Sequence, residues 1–412
     1  MTGLSRRGEA VATVALAAIA FIIVTGETLP IGLIAEMSDD LGVTESRVGL
    51  TVSAYALIAA LSAIPLTRWS ARFDRRHVLL ASAAVFGVGH LLAAAAPDVL
   101  VLALGRGLAA LGHGVYFAVA APAAMRLARP EVRGRAGARV MVGGSVALVI
   151  GTPLATLLGQ ATNWRIAMLA VGVVAVGLGV LVAWLMPMLP GASVRGAGAS
   201  VLSTVRLPGV LAIQGVVLFA VTGQFTLYTF IAPYVEQRFG VTGTGLSLLL
   251  LAYGAAAVVG STLAGRVADV TPVPGVRAAA ATYTVALAVL WIAGTVHAGV
   301  AGLPMVVLWG GAFSVLNVCV ALAVLRRAPG PRAETANAFT GIVFQVGIVA
   351  GSALGAVAND AGLLAAVPLF TAAAGVLVLG ITLLRGQAFA PAAVEPIEQL
   401  RPAGVGVDLP RV

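Results

Sequence analysis

Apolar stretches of eighteen or more residues, parted by short polar or charged breaks, follow one another along the whole chain. They fall near residues 10–33, 47–67, 77–96, 99–125, 137–159 and 165–187, and again near 208–233, 243–265, 277–297, 299–325, 336–358 and 362–384. A helix rises about 1.5 Å per residue and a bilayer core is about 30 Å thick, so about 20 apolar residues make one crossing. The pattern predicts an all-α integral membrane protein with twelve spans, six plus six. Between the two sets, residues 188–207 are rich in Gly, Ser and Ala and include Arg195 and Arg206, as expected of a flexible linker. The expected organisation is a six-helix half over 1–187, a cytoplasmic linker over 188–207, a second half over 208–384 and a cytoplasmic tail over 385–412. The first stretch follows Arg6 and Arg7 as a signal sequence would. It is too long for a signal h-region and lacks a clear small-residue cleavage site, so it reads as a helix.

Composition agrees. The 412 residues are 60% apolar and 10% charged, against about 25% charged in soluble domains, which excludes a water-soluble globule. The net charge of +9 comes from 25 Arg, with no Lys, against 16 acids. Alternating the loops between two faces puts 21 Arg on one face, three (Arg47, Arg165 and Arg238) on the other, and Arg106 inside a span. The positive-inside rule then places both termini in the cytoplasm of a cell inner membrane. The basic balance is topological, with anionic lipid as its partner and no nucleic acid. Cys319 is a single thiol inside a span, and His77, His90, His113 and His297 lack metal-ligand spacing. No metal, cofactor or enzyme constellation is expected, and the chain reads as a monomer.

The halves repeat. A shift of 198 residues lays Leu41-Gly42-Val43-Thr44 on Phe239-Gly240-Val241-Thr242, Ala54-Tyr55 on Ala252-Tyr253, and Arg68 on Arg266. One residue of adjustment lays Thr25-Gly26-Glu27 on Thr222-Gly223-Gln224, and a shift of 200 lays Ala147, Gly151 and Ala155 on Gly347, Gly351 and Gly355. Two parallel six-helix repeats are the arrangement of major facilitator transporters, whose substrate site lies between the halves near mid-membrane.

Several motifs carry chemistry. The turn Thr67-Arg68-Trp69-Ser70-Ala71-Arg72-Phe73-Asp74-Arg75-Arg76-His77 resembles the major facilitator signature Gly-x-Leu-x-Asp-Arg-x-Gly-Arg-Arg. It keeps Arg72, Arg75 and Arg76 but has Thr67, Ala71 and Asp74 at the Gly, Asp and Gly positions. The second-half turn Gly265-Arg266-Val267-Ala268-Asp269 keeps the Gly and Asp. In the family such turns form charge pairs across the cytoplasmic helix ends, which implies a state-dependent latch on Asp269. Basic residues that only fix topology are the alternative. Gly105-Arg106 through Gly112-His113-Gly114 resembles the family's Arg-x-x-x-Gly signature of the fourth span. An intramembrane Arg costs about 2.5 to 3.5 kcal/mol on insertion scales and faces a partner or a wet cavity. Backbone carbonyls could also satisfy it. His113, seven residues on, shares its face.

Glu27, in Thr25-Gly26-Glu27-Thr28-Leu29-Pro30, is the one acid well inside any predicted span, and the helical rise puts it at the depth of Arg106. Burial raises a carboxyl pKa and a nearby Arg lowers it, so a carboxylate in a cavity reached by water can load and release a proton near neutral pH. A static ion pair is the alternative. Gly143, Ala147, Gly151, Ala155 and Gly159 place a small residue at every fourth position of span five, with Pro153 close by, and Gly347, Gly351 and Gly355 do so in span eleven. Such stripes let helices approach closely.

Glu27 with Pro30, Arg106, the span-five stripe around Gly151-Thr152-Pro153 and its Trp164-Arg165 ending together resemble the twelve-span drug:proton antiporters, in particular their sugar-efflux and arabinose-exporter branch. The resemblance implies export of drugs or sugars driven by the proton motive force. It also implies a cavity lined by spans one, four, seven and ten, with Glu27 and Arg106 in proton coupling and Gln224, Tyr228, Trp309, Asn317 and His113 beside the substrate. Facilitated diffusion or uptake of a sugar or metabolite is the competing expectation.

Overall fold

The computed structural model describes residues 6–129, 132–191, 201–296, 298–328 and 331–390, with only the backbone of a few of them, Gly265, Arg266 and Asp269 included. The expected linker core at 192–200, the tail from 391 and the side-chain latch on Asp269 lie outside what is described.

Twelve helices are long and apolar enough to cross a membrane. In chain order α1 to α6 are Gly8–Gly32, Glu45–Ala63, Arg75–Ala94, Val99–Leu127, Arg135–Ala161 and Trp164–Leu185. The second set, α7 to α12, is Val210–Tyr228, Gly243–Ala264, Pro272–Thr295, Gly299–Arg327, Thr335–Asp360 and Leu364–Leu384. No strand occurs among the described residues. Short polar caps start the helices, because the first turn leaves N–H groups unpaired. Asp98 accepts from the Val101 amide at 2.9 Å, and Asn163 from the Arg165 amide at 2.8 Å.

The seventh span ends at Tyr228, short of the expected 233. A break at Thr229–Phe230 turns the chain into a separate helix, Ile231–Phe239, just as a break at Leu33 separates Ile34–Leu41 from α1. Both short helices stop at a glycine in the left-handed region, Gly42 at φ 62° and Gly240 at φ 66°. The repeated Gly-Val-Thr of the sequence is therefore a helix stop followed by the next helix start.

The packing is two-fold. Within the halves α3 lies on α4 and α6 as α9 lies on α10 and α12, α2 on α4 as α8 on α10, and α1 on α5 and α6 as α7 on α11 and α12. Between the halves α2 meets α11 and α5 meets α8, a pair of contacts that exchange when the halves exchange. The stripe glycines set the closest approaches. A Cβ on Gly143 would stand 2.0 Å from the Ala17 carbonyl oxygen, and one on Gly351 2.4 Å from that of Thr222, so α5 presses on α1 and α11 on α7 backbone to backbone.

Hydrogen bonds between the halves gather toward the end remote from the N-terminus. Ser247 donates to Gln160 Oε1 at 3.0 Å, Ser46 to the Ala356 carbonyl at 3.0 Å, Asn359 Nδ2 to the Ser46 hydroxyl at 3.1 Å, and the hydroxyls of Ser53 and Ser352 meet at 2.6 Å. Glu36, in the helix after α1, stands by Gln160; burial pushes its carboxyl above the usual carboxylate range, and the Gln160 hydrogen bond opposes the rise. Arg165 pairs with Asp40, whose Oδ2 also accepts from Trp164 Nε1 at 3.0 Å, tying the start of α6 to the helix Ile34–Leu41 within the first half.

If these contacts must part during turnover, Ser53→Cys with Ser352→Cys in a Cys319→Ala background will cross-link under mild oxidant. Transport will stop and then return on reduction, as a transport assay on the same vesicles before and after reductant would show; full activity of the cross-linked protein would contradict it.

Candidate functional site

Pro30 lies within α1 and has no N–H, so the Gly26 carbonyl four residues back loses its helical donor. Arg106 of α4, fully buried, takes that place: Nη1 donates to the Gly26 carbonyl at 3.3 Å and Nη2 to the Glu27 carbonyl at 3.0 Å. Its guanidinium carbon lies 5.0 Å from the centre of the Tyr55 ring of α2, a cation–π position. Among the described residues no ion pair joins Arg106 to the Glu27 carboxylate. The depths match, but the arginine is held by backbone carbonyls and ring, and its Nε is buried without a hydrogen-bond partner.

The Glu27 carboxylate turns to His113 instead, Oε2 standing 3.7 Å from Nδ1, and the same Nδ1 is 2.9 Å from the Tyr55 hydroxyl. Side-chain exposures of 14% for Glu27 and 11% for His113 put both at the edge of the packed interior. Four side chains from α1, α2 and α4 thus form one unit. Its neighbours hold it tightly: the hydroxyls of Thr28 and Thr152 meet at 2.6 Å, so the residue that separates Gly151 from Pro153 bonds α5 to α1 one position past Glu27. Pro153 likewise deprives the Val149 carbonyl of a donor, and α5 widens there into a π-helical turn, Ala147–Gly151. Against that turn packs Gly254 of α8, where a Cβ would stand 2.5 Å from Val149 Cα.

The second half builds a different cluster at the equivalent place. Gln224, the repeat partner of Glu27, donates through Nε2 to the hydroxyl of Tyr253, the repeat partner of Tyr55. The Tyr253 ring stacks on Tyr228 at 5.1 Å, and Trp309 stands edge-on to it at 5.3 Å and to Tyr228 at 6.2 Å. All four are buried. Asn317 is apart from them, exposed and two turns along α10, beside a small cavity with Val217, Val221, Phe313 and Phe344.

Of the turn residues, Asp74 caps α3 by accepting from the Arg76 amide at 2.9 Å, Arg75 donates its amide to the Leu189 carbonyl at 2.9 Å, and the Arg72 guanidinium lies 4.9 Å from the Phe73 ring centre. The large groove of about 980 Å³ lies elsewhere, inside the second half between α8, α9 and α10, and its lining is almost wholly apolar. Tyr55 and Tyr253 were visible in the sequence only as a repeated pair. Tyr55 finds its partner His113 two spans on, and Tyr253 finds Gln224 in the span just before it.

The family model of the Major Facilitator Superfamily matches residues 16–352. The chain is 33% identical over 374 residues to a chloramphenicol efflux pump of Mycobacterium tuberculosis, covering 89% of this chain and 90% of that one. It is 29% identical over 356 residues to a probable sugar efflux transporter of Mannheimia succiniciproducens, covering 85% and 88%. Its fold is similar to that of a bacterial homologue of the human lysosomal transporter Spinster in an inward-facing, occupied conformation, with TM-score 0.77 at 15% identity over 93% and 98% of the two chains. A D-xylose–proton symporter matches with TM-score 0.74 at 16% identity over 90% and 97%. The chain belongs to the Major Facilitator Superfamily and is a multi-pass membrane transporter of small molecules, not an enzyme.

A Cβ on Gly26 would stand 2.5 Å from His90 Nε2 and 2.8 Å from Val171 Cγ1. Gly26→Ala therefore displaces α1 at Glu27. Overpacking of this kind costs about 1–3 kcal/mol, so thermal stability of the purified protein should fall while it still inserts, and transport should drop at least about tenfold. Wild-type transport and melting would refute the tight fit.

Proposed function

We propose that the protein exports small organic molecules, drugs or sugars, in exchange for protons by alternating access, with the two six-helix halves rocking about the central clusters. The observation that carries this reading is the separation of duties around α1. Both Nη groups of Arg106 are engaged by the Gly26 and Glu27 carbonyls and its guanidinium lies over the Tyr55 ring, which leaves the Glu27 carboxylate, the one acid well inside a span among the described residues, able to take up and give back a proton. His113 and Tyr55 offer it polar company as it does so. An Arg permanently locked to that carboxylate would oppose protonation.

The efflux pump and sugar efflux transporter among the relatives support the export direction, and chloramphenicol is the first candidate substrate. With both termini cytoplasmic in the plasma membrane, as the arginine distribution indicates, the sealed end faces outward and the protein stands ready to load from the cytoplasm. Entry of one proton releases about 2.3 kcal/mol per 100 mV, which supports roughly a fifty-fold substrate gradient at about 1.4 kcal/mol per tenfold. One carboxylate suffices for that stoichiometry. Arg72, Arg75 and Arg76 with Asp269 would latch the cytoplasmic ends in the opposite state.

In proteoliposomes with an imposed pH gradient, the wild type should move chloramphenicol uphill and release protons on substrate addition. Glu27→Gln should lose uphill transport and proton release while keeping downhill exchange. Uphill transport by Glu27→Gln at the wild-type rate would overturn the assignment, and wild-type counterflow that persists without a proton gradient, with no uphill movement under one, would favour facilitated diffusion.

A further inference from the structure

The last turn of the fourth span of each half carries an arginine that reaches out of its helix, Arg126 in α4 and Arg327 in α10. Each donates to the chain that leaves the sixth span of the same half. Arg126 Nη2 donates to the Pro190 carbonyl at 3.0 Å. Arg327 Nε donates to the Ala388 carbonyl at 3.0 Å, and its Nη2 to those of Gln387 and, at 3.4 Å, Ala390. The offsets of 198 and 200 that relate the halves lay Pro190 on Ala388 and Ala390, so the contact belongs to the repeat.

Both segments fold down onto the helix ends. In the second half Phe389 is buried in an apolar cluster with Ile213 of α7, Val276 of α9 and Val324 of α10, so the short turn Gly386–Phe389 joins the ends of three spans on the side opposite the seal. A Cβ on Gly209, just before α7, would stand 2.9 Å from Ala388 Cβ. Arg277 of α9 holds α12 alongside, donating to the Thr382 and Leu383 carbonyls at 3.1 Å each. In the first half the Arg75 amide donates to the carbonyl of buried Leu189 at 2.9 Å, and a Cβ on Gly191 would stand 2.3 Å from the Ala71 carbonyl oxygen in the signature turn.

An irregular segment past a helix end has carbonyls that no helical N–H reaches. A guanidinium, with five N–H groups in a fixed fork, can satisfy several of them at once. The hydrogen bonds between the halves gather at the other end of the molecule. On this side each half has to hold its own helix ends in place if it is to turn as a rigid body. We propose that Arg327 is a positioning residue for transport: it fastens the Gly386–Ala390 strap across the ends of α7, α9 and α10, so that the helices at the cavity mouth swing together, and Arg126 does the same with the start of the linker in the first half. This rests on the alternating-access reading, and it depends neither on which carboxylate carries the proton nor on which molecule is carried.

The test uses the purified full chain. In nanodiscs, Ala388→Cys in a Cys319→Ala background gives a buried thiol whose labelling by a maleimide reports release of the strap. Adding Arg327→Gln should speed labelling at least about tenfold, as loss of charge-assisted hydrogen bonds implies. In proteoliposomes, downhill chloramphenicol exchange per radiolabelled chloramphenicol-binding site should fall at least about fivefold in Arg327→Gln, with affinity within about twofold of wild type. Arg327→Lys, which keeps the charge and loses the fork, should resemble Arg327→Gln. Arg327→Gln combined with Phe389→Ala should be no slower than the slower single variant, because both act through one strap. Arg126→Gln should slow exchange in the same sense.

Wild-type labelling in Arg327→Gln, full exchange by Arg327→Lys, or fewer binding sites with unchanged turnover at each would overturn the proposal, the last being the mark of a merely structural role. A wild type that exchanges but does not pump would sink the antiport reading and leave the strap. A wild type that binds no chloramphenicol would sink that substrate, with the labelling rates still deciding for or against the strap.

Discussion

A backbone carbonyl inside a bilayer has no water to accept from, and much of this structure follows from two carbonyls that lose their helical donors to proline. At Pro30 the freed Gly26 carbonyl is met by Arg106, which brings a permanent charge to α1 without pairing it to the adjacent carboxylate. At Pro153 the strand of hydrogen bonds opens into a π-helical turn, and that turn is the surface on which α8 of the other half rests. One proline therefore organises the charged cluster, and the other shapes a contact between the halves.

Close approach is the second constraint. Without a hydrophobic drive to associate inside lipid, the helices hold through backbone proximity and a few polar contacts worth about 0.6 kcal/mol each. The stripe of α5 lets Thr152 reach Thr28, and the glycine at 26 lets His90 and Val171 close behind Glu27. The bonds between the halves, by contrast, are single hydroxyl and amide contacts confined to one end. The seams are thus tight within each half and light between them.

The two-fold repeat gave each half the same frame and left its contents free to diverge. Tyr55 and Tyr253 keep the same place, and around them one half is ionisable while the other is aromatic and neutral. Substitution within a shared frame thus gives the two halves unlike clusters at one place.

The sequence alone determined the class of protein, the twelve spans and their alternation, because burial in lipid demands long apolar runs and punctuates them with charge. It also showed that Glu27 and Arg106 stand at one depth, since helical rise is fixed, and that the stripes of α5 and α11 are packing faces. It left the partner of Arg106 open between a carboxylate and backbone carbonyls, and it showed Tyr55 only as one half of a repeated pair. It set the end of α7 several residues too far, since an apolar run does not reveal a break that leaves both pieces apolar. Which side of a helix faces which neighbour depends on contacts among spans that lie far apart in the chain. The union of Glu27 with His113 and Tyr55 and the stacking of Tyr228, Tyr253 and Trp309 were therefore decided only by the tertiary structure.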